Sequence, residues 1–187
     1  MIITILWEDQ RGAAGKRFGP HELLLSCVDD DLHCGRDFFA ELVIGAPKKG
    51  SGKILQALKQ DLPRLLKSGP VCAVLDRDRV LDLWPASRRP PGCSSGIRSA
   101  IVRDAPGEYG LVLLENNIES VVAACHKHLG SVMPRDKPSP EARDEVLFKA
   151  AWASADARSS IRQTMPTFDR IARWVKLEVQ KSQTSLH

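Results

Sequence analysis

The acidic residues that could do chemistry stand where strand-like stretches end. Glu8 closes the apolar run Ile2-Ile-Thr-Ile-Leu-Trp7, Asp76 and Asp78 close Val71–Leu75, and Glu115 and Glu119 follow Tyr109–Leu114. In a parallel α/β sheet, ligand sites form beyond the carboxyl ends of the strands. Alternate residues of an extended segment point the same way, so Asp76 and Asp78 are expected side by side. Neighbouring carboxylates repel one another unless they share a cation. Hard oxygen ligands suit Mg²⁺ or Mn²⁺, which keep positions for water and phosphate oxygens. Such a centre would polarise a phosphodiester and lower the pKa of a bound water. An isolated Asp-x-Asp is usually a pair of solvated loop acids. Acids at three strand ends of one short chain tip the balance toward a site.

The elements that must position these acids alternate between strand and helix. Residues 2–7 are β-branched and apolar, as in a strand buried on both faces. A loop over 10–19 leads to Pro20 and a helical stripe at Leu23, Leu24, Cys27 and Val28. Residues 38–44 are expected to form a second strand, and 45–52 a Gly/Lys-rich loop. The apolar spacing of 54–66 predicts a helix that Pro63 kinks or divides. Residues 71–75 and 109–114 are expected as strands, with 82–108 as a long loop that has room for a short strand at 97–102. A helix carrying Val121, Val122, Cys125 and Leu129 follows. The alternation predicts an α/β fold with a mostly parallel sheet over 1–130. Beyond a linker at 131–140, helices at 141–163 and 167–181 form a helical extension (131–187) packed on that domain. Their apolar stripes serve either core packing or a homo-oligomer face.

Composition narrows the class. The 187 residues are 43% hydrophobic and 27% charged, which excludes a disordered chain. No apolar run approaches a membrane span, and the start of the chain lacks the basic opening of a signal peptide. Five cysteines without a CxxC spacing speak against both a disulfide framework and a structural zinc, and point to reduced thiols in the cytoplasm. The net charge of +4 includes no basic tail, so a polyanion site would be a local patch. Lys48, Lys49, Lys53, Arg88 and Arg89 are candidates for contacts to a nucleic-acid backbone, with Lys16, Arg17, Arg98 and Arg103 as further basic groups.

Other signals carry less weight. Gly45-Ala-Pro-Lys-Lys-Gly-Ser-Gly-Lys53 has the setting of a phosphate-binding loop, but its glycine spacing is off by one and Ile54 replaces the expected Ser or Thr. Asp29-Asp30-Asp31 is expected to be a solvated helix end. Trp84 is a candidate to stack on a base, while Trp7, Trp152 and Trp174 are core or interface candidates. Cys93, Ser94 and Ser95 have no recognisable partner base.

The set Glu8, Val74-Leu-Asp-Arg-Asp-Arg-Val80 and Ile118-Glu119 resembles the Toprim domain over residues 1–130. It is most similar to nucleases of the overcoming-lysogenization-defect type and to small stand-alone Toprim proteins of phage-defence operons. The resemblance implies a compact Toprim fold acting as a metal-dependent nuclease on DNA or RNA. It implies Glu8 as general acid/base or metal ligand, Asp76 and Asp78 as metal ligands, and Glu119 as a further ligand, with Mg²⁺ or Mn²⁺ bound. Glu115 is a weaker candidate, and Asp9 is the nearest acid to support Glu8. An ABC- or SMC-like ATPase would be the partner. Tyr109, the only tyrosine, stands before a strand, which argues against a topoisomerase. A non-catalytic Toprim-like binding or regulatory subunit is the alternative, and a nucleotide-binding protein using Gly45–Lys53 is a more distant one.

Overall fold

A computed structural model describes residues 1–8, 19–115, 117–129 and 140–184. The protein is α/β: a four-stranded, all-parallel sheet flanked by helices, followed by a C-terminal helical stretch. The strands are β1 (Ile3–Trp7), β2 (Val43–Pro47), β3 (Val71–Asp76) and β4 (Gly110–Leu114), in the order β2-β1-β3-β4. Every residue of β1 and β3 is buried, as expected for central strands covered on both faces.

Alternation along the strands divides the core in two. Ile3, Ile5, Trp7, Cys72, Val74, Val112 and Leu114 face one layer. That layer holds α1 (Pro20–Leu32), α7 (Asn117–Leu129), α8 (Pro140–Ala153), α9 (Ala155–Thr164) and α10 (Pro166–Thr184). Leu6, Ala73, Leu75 and Leu113 face the other. It is built from α3 (Ser51–Gln60), α4 (Leu62–Ser68), the short α5 (Arg77–Val80) and α6 (Ser94–Asp104). The C-terminal helices are therefore part of one covering layer. Phe148, Phe168, Ile171 and Val175 are buried in the same cluster as β1 and α1.

The structure corrects several expected elements. Residues 38–42 are helical, within α2 (Arg36–Leu42), and the strand comes later, at Val43–Pro47. A short apolar run does not distinguish strand from helix; pairing with β1, from Ile3↔Val43 to Trp7↔Pro47, selects the later register. Pro47 is tolerated because β2 is an edge strand. The helix expected at 54–66 begins at Ser51 and divides at Asp61, with Pro63 in the first turn of α4.

The region 82–108 is not mainly loop. It contains α6, and no strand lies at 97–102. Ile97, Ala100 and Ile101 are buried at helical spacing, a signal masked by the glycines and prolines before them. The helix expected at 141–163 is broken at Ser154, whose hydroxyl caps α9 by accepting from Ala157 N at 3.2 Å. Residues 131–139 of the expected linker lie outside the described residues. No described helix is long and apolar enough to cross a membrane.

Candidate functional site

In the order β2-β1-β3-β4 the chain winds outward from β1 to β2, then crosses back to β3, so the topological switch point lies between β1 and β3. Glu8 follows β1 directly and Asp76 ends β3, and both are buried (9% and 7% exposed). Residues 68 apart in sequence thus meet at the edge where such folds bind ligands: the Asp76 amide donates to Glu8 Oε2 at 2.8 Å.

Glu8 is also the cap of α3. Its Oε1 accepts from the Ser51 hydroxyl at 2.7 Å and from the Ser51 amide at 3.1 Å. The strand-to-helix loop is folded onto the same point, since Lys48 N donates to Trp7 O (2.7 Å) and Gly50 N to Glu8 O (3.2 Å). Gly50 enters the helix at φ +91°, a conformation that favours glycine. A carboxylate at a helix N-terminus is stabilised by the unpaired amides and the helix dipole. Glu8 therefore ties β1, β3 and α3 together whatever else it does. Ser51 is the residue that sequence reasoning missed. Its signal was a glycine followed by serine at a helix start, where the partner is a distant carboxylate that no local pattern reveals.

Of the remaining expected acids, the described ones, Asp78 and Glu115, do not join this pair in the same way. The strand alternation stops at Asp76, because Arg77 already begins α5. Asp78 is therefore exposed in a helical turn, with its Oδ1 accepting from Arg79 N at 3.0 Å, and it is not side by side with Asp76 on an extended segment. Glu115 is exposed in the turn after β4. Glu119 falls on α7, and its side chain lies outside the described residues, as do Asp9, Lys16 and Arg17. Among the described residues, no group of three or more His, Cys, Asp or Glu side chains could hold a metal ion. Mg²⁺ commonly takes only one or two carboxylates, with water and phosphate completing its shell. Asp76 and Glu8 supply that number of hard oxygen ligands at one edge. Glu8 has about four acceptor positions and spends three on protein donors, which leaves one on Oε2.

Among the basic candidates, Lys48 is half-buried and Lys49 exposed on the loop beside Glu8, and Lys53 is exposed on α3 with Nζ 3.4 Å from Gln56 Oε1. Arg88 is exposed in a short turn, and Arg89 pairs with Asp82 at 2.9 Å. Arg103 pairs with Asp104 at 3.0 Å. Trp84 is not a free stacking platform: it is buried and donates from its indole N–H to Asp104 at 2.8 Å. Arg77 donates to Gly92 O at 3.1 Å, which fastens the segment before α6 to α5.

All five cysteines are unpaired. Burial pushes the Cys27, Cys72 and Cys125 thiols up to about 12, which makes them inert. Cys93 is exposed, and its thiol is lowered by the hydrogen bond with Ser95 and by nearby backbone amides. No protein-family model matches the chain, and comparisons with curated proteins and with solved structures find no match either.

Proposed function

We propose that the chain is a Toprim-type, metal-dependent nuclease of a phage-defence system, with its centre at the switch point between β1 and β3. The observation that carries this reading is the meeting of Glu8 and Asp76 at that edge, linked by the 2.8 Å hydrogen bond from the Asp76 amide. Bound Mg²⁺ or Mn²⁺ would supply charge neutralisation at the phosphate and an activated water. In this reading Asp76 and the remaining acceptor position of Glu8 orient the ion, with Asp78 and Glu119 as further acids at its margin. Ser51 and the Asp76 amide hold the Glu8 carboxylate in one orientation. Lys48, Lys49 and Lys53 receive the polymer backbone next to it, and Arg88 extends that contact. An ABC- or SMC-like ATPase is the proposed partner, and the free cysteines fit a reducing cytoplasm.

One observation favours a second reading, a non-catalytic Toprim-like regulatory subunit. Asp78 is exposed in a helical turn whereas Glu8 and Asp76 are buried, and Glu8 already has three protein donors, so the acids also make sense as a structural latch. The nucleotide-binding alternative gains no support, because a carboxylate occupies the start of α3 where a phosphate would sit.

The test incubates the purified chain with plasmid DNA, single-stranded DNA and tRNA, with Mg²⁺, Mn²⁺ or EDTA. Asp76→Asn is expected to lower metal-dependent cleavage by about 100-fold or more, the scale of a lost acid–base or ligand-supporting group. Undiminished cleavage by Asp76→Asn would refute this site. Glu8→Gln is the weaker probe, since its amide NH₂ would face the Asp76 N–H donor. It is expected to cost about 1–3 kcal/mol of stability, so its activity is read beside its urea midpoint. Metal binding without turnover would favour the regulatory subunit.

A further inference from the structure

Glu8 and Asp76 mark the carboxyl edge of the sheet, and the opposite edge holds a groove of about 550 Å³, the size of a small-ligand site. Two half-buried aromatic rings line it. Tyr109 packs with the layer of α3 to α6, and its hydroxyl donates to Ala105 O at 2.8 Å, which fixes the ring. Trp174 of α10 packs with the other layer. The sheet gives up a side chain to seat that indole: a Cβ on Gly110, the first residue of β4, would stand 2.8 Å from Trp174 Cε2 and Nε1. Leu66 and Pro70 add apolar lining. Val71, also in the lining, is five residues along β3 from Asp76, or about 17 Å. The groove is thus separate from the Glu8–Asp76 edge.

The charge in this groove is acidic. Glu108 and Glu178 line it against a single cation, Lys181. Glu178 lies one turn beyond Trp174 on α10, so carboxylate and indole share a helix face. Its side chain is only 14% exposed. Comparably buried acids elsewhere in the helices are held by guanidinium groups, Glu22 by Arg36 and Asp169 by Arg162 and Arg173. Among the described residues, the one ionic partner of Glu178 is Lys181 at 2.7 Å, and that lysine is 70% exposed. A carboxylate withdrawn from water favours a counter-ion, and aromatic rings attract the same sign of charge. Apolar walls suit a cation carried on a hydrocarbon stem. A hard metal ion would require more oxygen ligands than the groove offers.

We propose that this groove binds a small organic cation, an ammonium or guanidinium group on an apolar stem. Glu178 pairs with the charge, Trp174 and Tyr109 pack against the group and its stem, and Glu108 adds attraction at the exposed margin. Lys181 is the intramolecular competitor for Glu178 that the ligand displaces. The site does not depend on the nuclease reading above.

The test reads binding and never turnover, so it is independent of whether the chain cleaves anything. The four tryptophans of the nitrogen-15-labelled full chain give four indole N–H resonances, and Trp174→Phe assigns the one at the groove. The chloride salts of n-butylammonium and n-butylguanidinium are titrated in, with n-butanol and sodium chloride as the neutral and simple-salt controls. A saturable shift of the Trp174 resonance is expected with the two organic cations alone. Glu178→Gln is expected to weaken that binding about tenfold, and Lys181→Gln to tighten it. The other three indole resonances, at their wild-type positions, show that a variant is folded. An equal response to n-butanol or sodium chloride, undiminished affinity in Glu178→Gln, or weaker binding in Lys181→Gln would each overturn the site. Lys181→Gln keeps the test decisive should Glu178→Gln fail to fold, because it alters a largely exposed side chain.

Discussion

At the scale of single residues, buried polar groups here are matched to particular partners. His21 is fully buried between Trp7 and Val43. The Trp7 indole can only donate, so His21 Nδ1 accepts at 3.2 Å and Nε2 carries the proton toward Val43 O at 3.3 Å. Desolvation by burial lowers its pKa from 6.5 to about 4, against the opposing pull of Glu22 and the Val43 carbonyl. The native state therefore binds fewer protons than the unfolded chain between those values, and stability falls as the pH drops through that window. The loss is expected to reach roughly 3 kcal/mol, read as the urea midpoint from neutral pH downward, and to shrink in His21→Gln. A midpoint that stays level across the window would contradict a neutral buried imidazole. The hydrogen-bond donor that holds Glu8 Oε1 was not legible in the sequence at all. Strand-end position identified Glu8 and Asp76, whereas the donor Ser51 is 43 residues away and required the fold.

At the scale of elements, α1 is fastened to the C-terminal helices by charge as well as by apolar packing. Asp29-Asp30-Asp31 is not the solvated helix end expected from sequence. Asp29 accepts from Gly35 N at 2.8 Å, Asp30 takes Arg158 in two hydrogen bonds of 2.6 Å, and Asp31 pairs with Arg162 at 2.9 Å and Lys176 at 3.5 Å. Arg162 also holds Asp169 of α10 at 2.6 Å and Cys27 O of α1 at 3.2 Å. Its hydrogen bond with Asp31 comes first among the influences that lower the Asp31 pKa. Because Arg162 joins three helices, Arg162→Met is expected to cost roughly 2–4 kcal/mol, below a fully buried pair because the side chains keep some water contact. Chemical denaturation measures this; a change near zero would reduce the network to surface decoration. A run of acids reads the same in sequence whether it meets water or arginines from 130 residues away, and only helix packing distinguishes the two.

At the scale of the whole molecule, the C-terminal helices are structural. Leu147, Phe148, Ile161, Phe168, Ile171 and Val175 are buried with Ile3, Leu24 and Val28 in one cluster. A chain ended after residue 130 would expose that face of the sheet and of α1. It is expected to lose the cooperative thermal transition and to bind hydrophobic dye, as a loosely packed state does. A sharp transition in the shortened chain would mean that 1–130 folds alone. The same packing bears on the site, since α10 lies against β4 while Glu8 and Asp76 depend on the register of β1 with β2 and β3.

The sequence by itself determined the α/β class, the places of β1, β3 and β4, and the two acids at the switch point. Those features follow from local apolar patterning and from the rule that strand ends carry sites. Tertiary structure alone decided that Val43–Pro47 is the second strand, that 94–104 is helix, and that Asp78 is exposed in a helical turn, not on the strand that ends at Asp76. It also decided that Ser51 holds Glu8. The reason is physical: a short segment is compatible with several local states, and the selecting free energy comes from pairing and burial against residues distant in the chain.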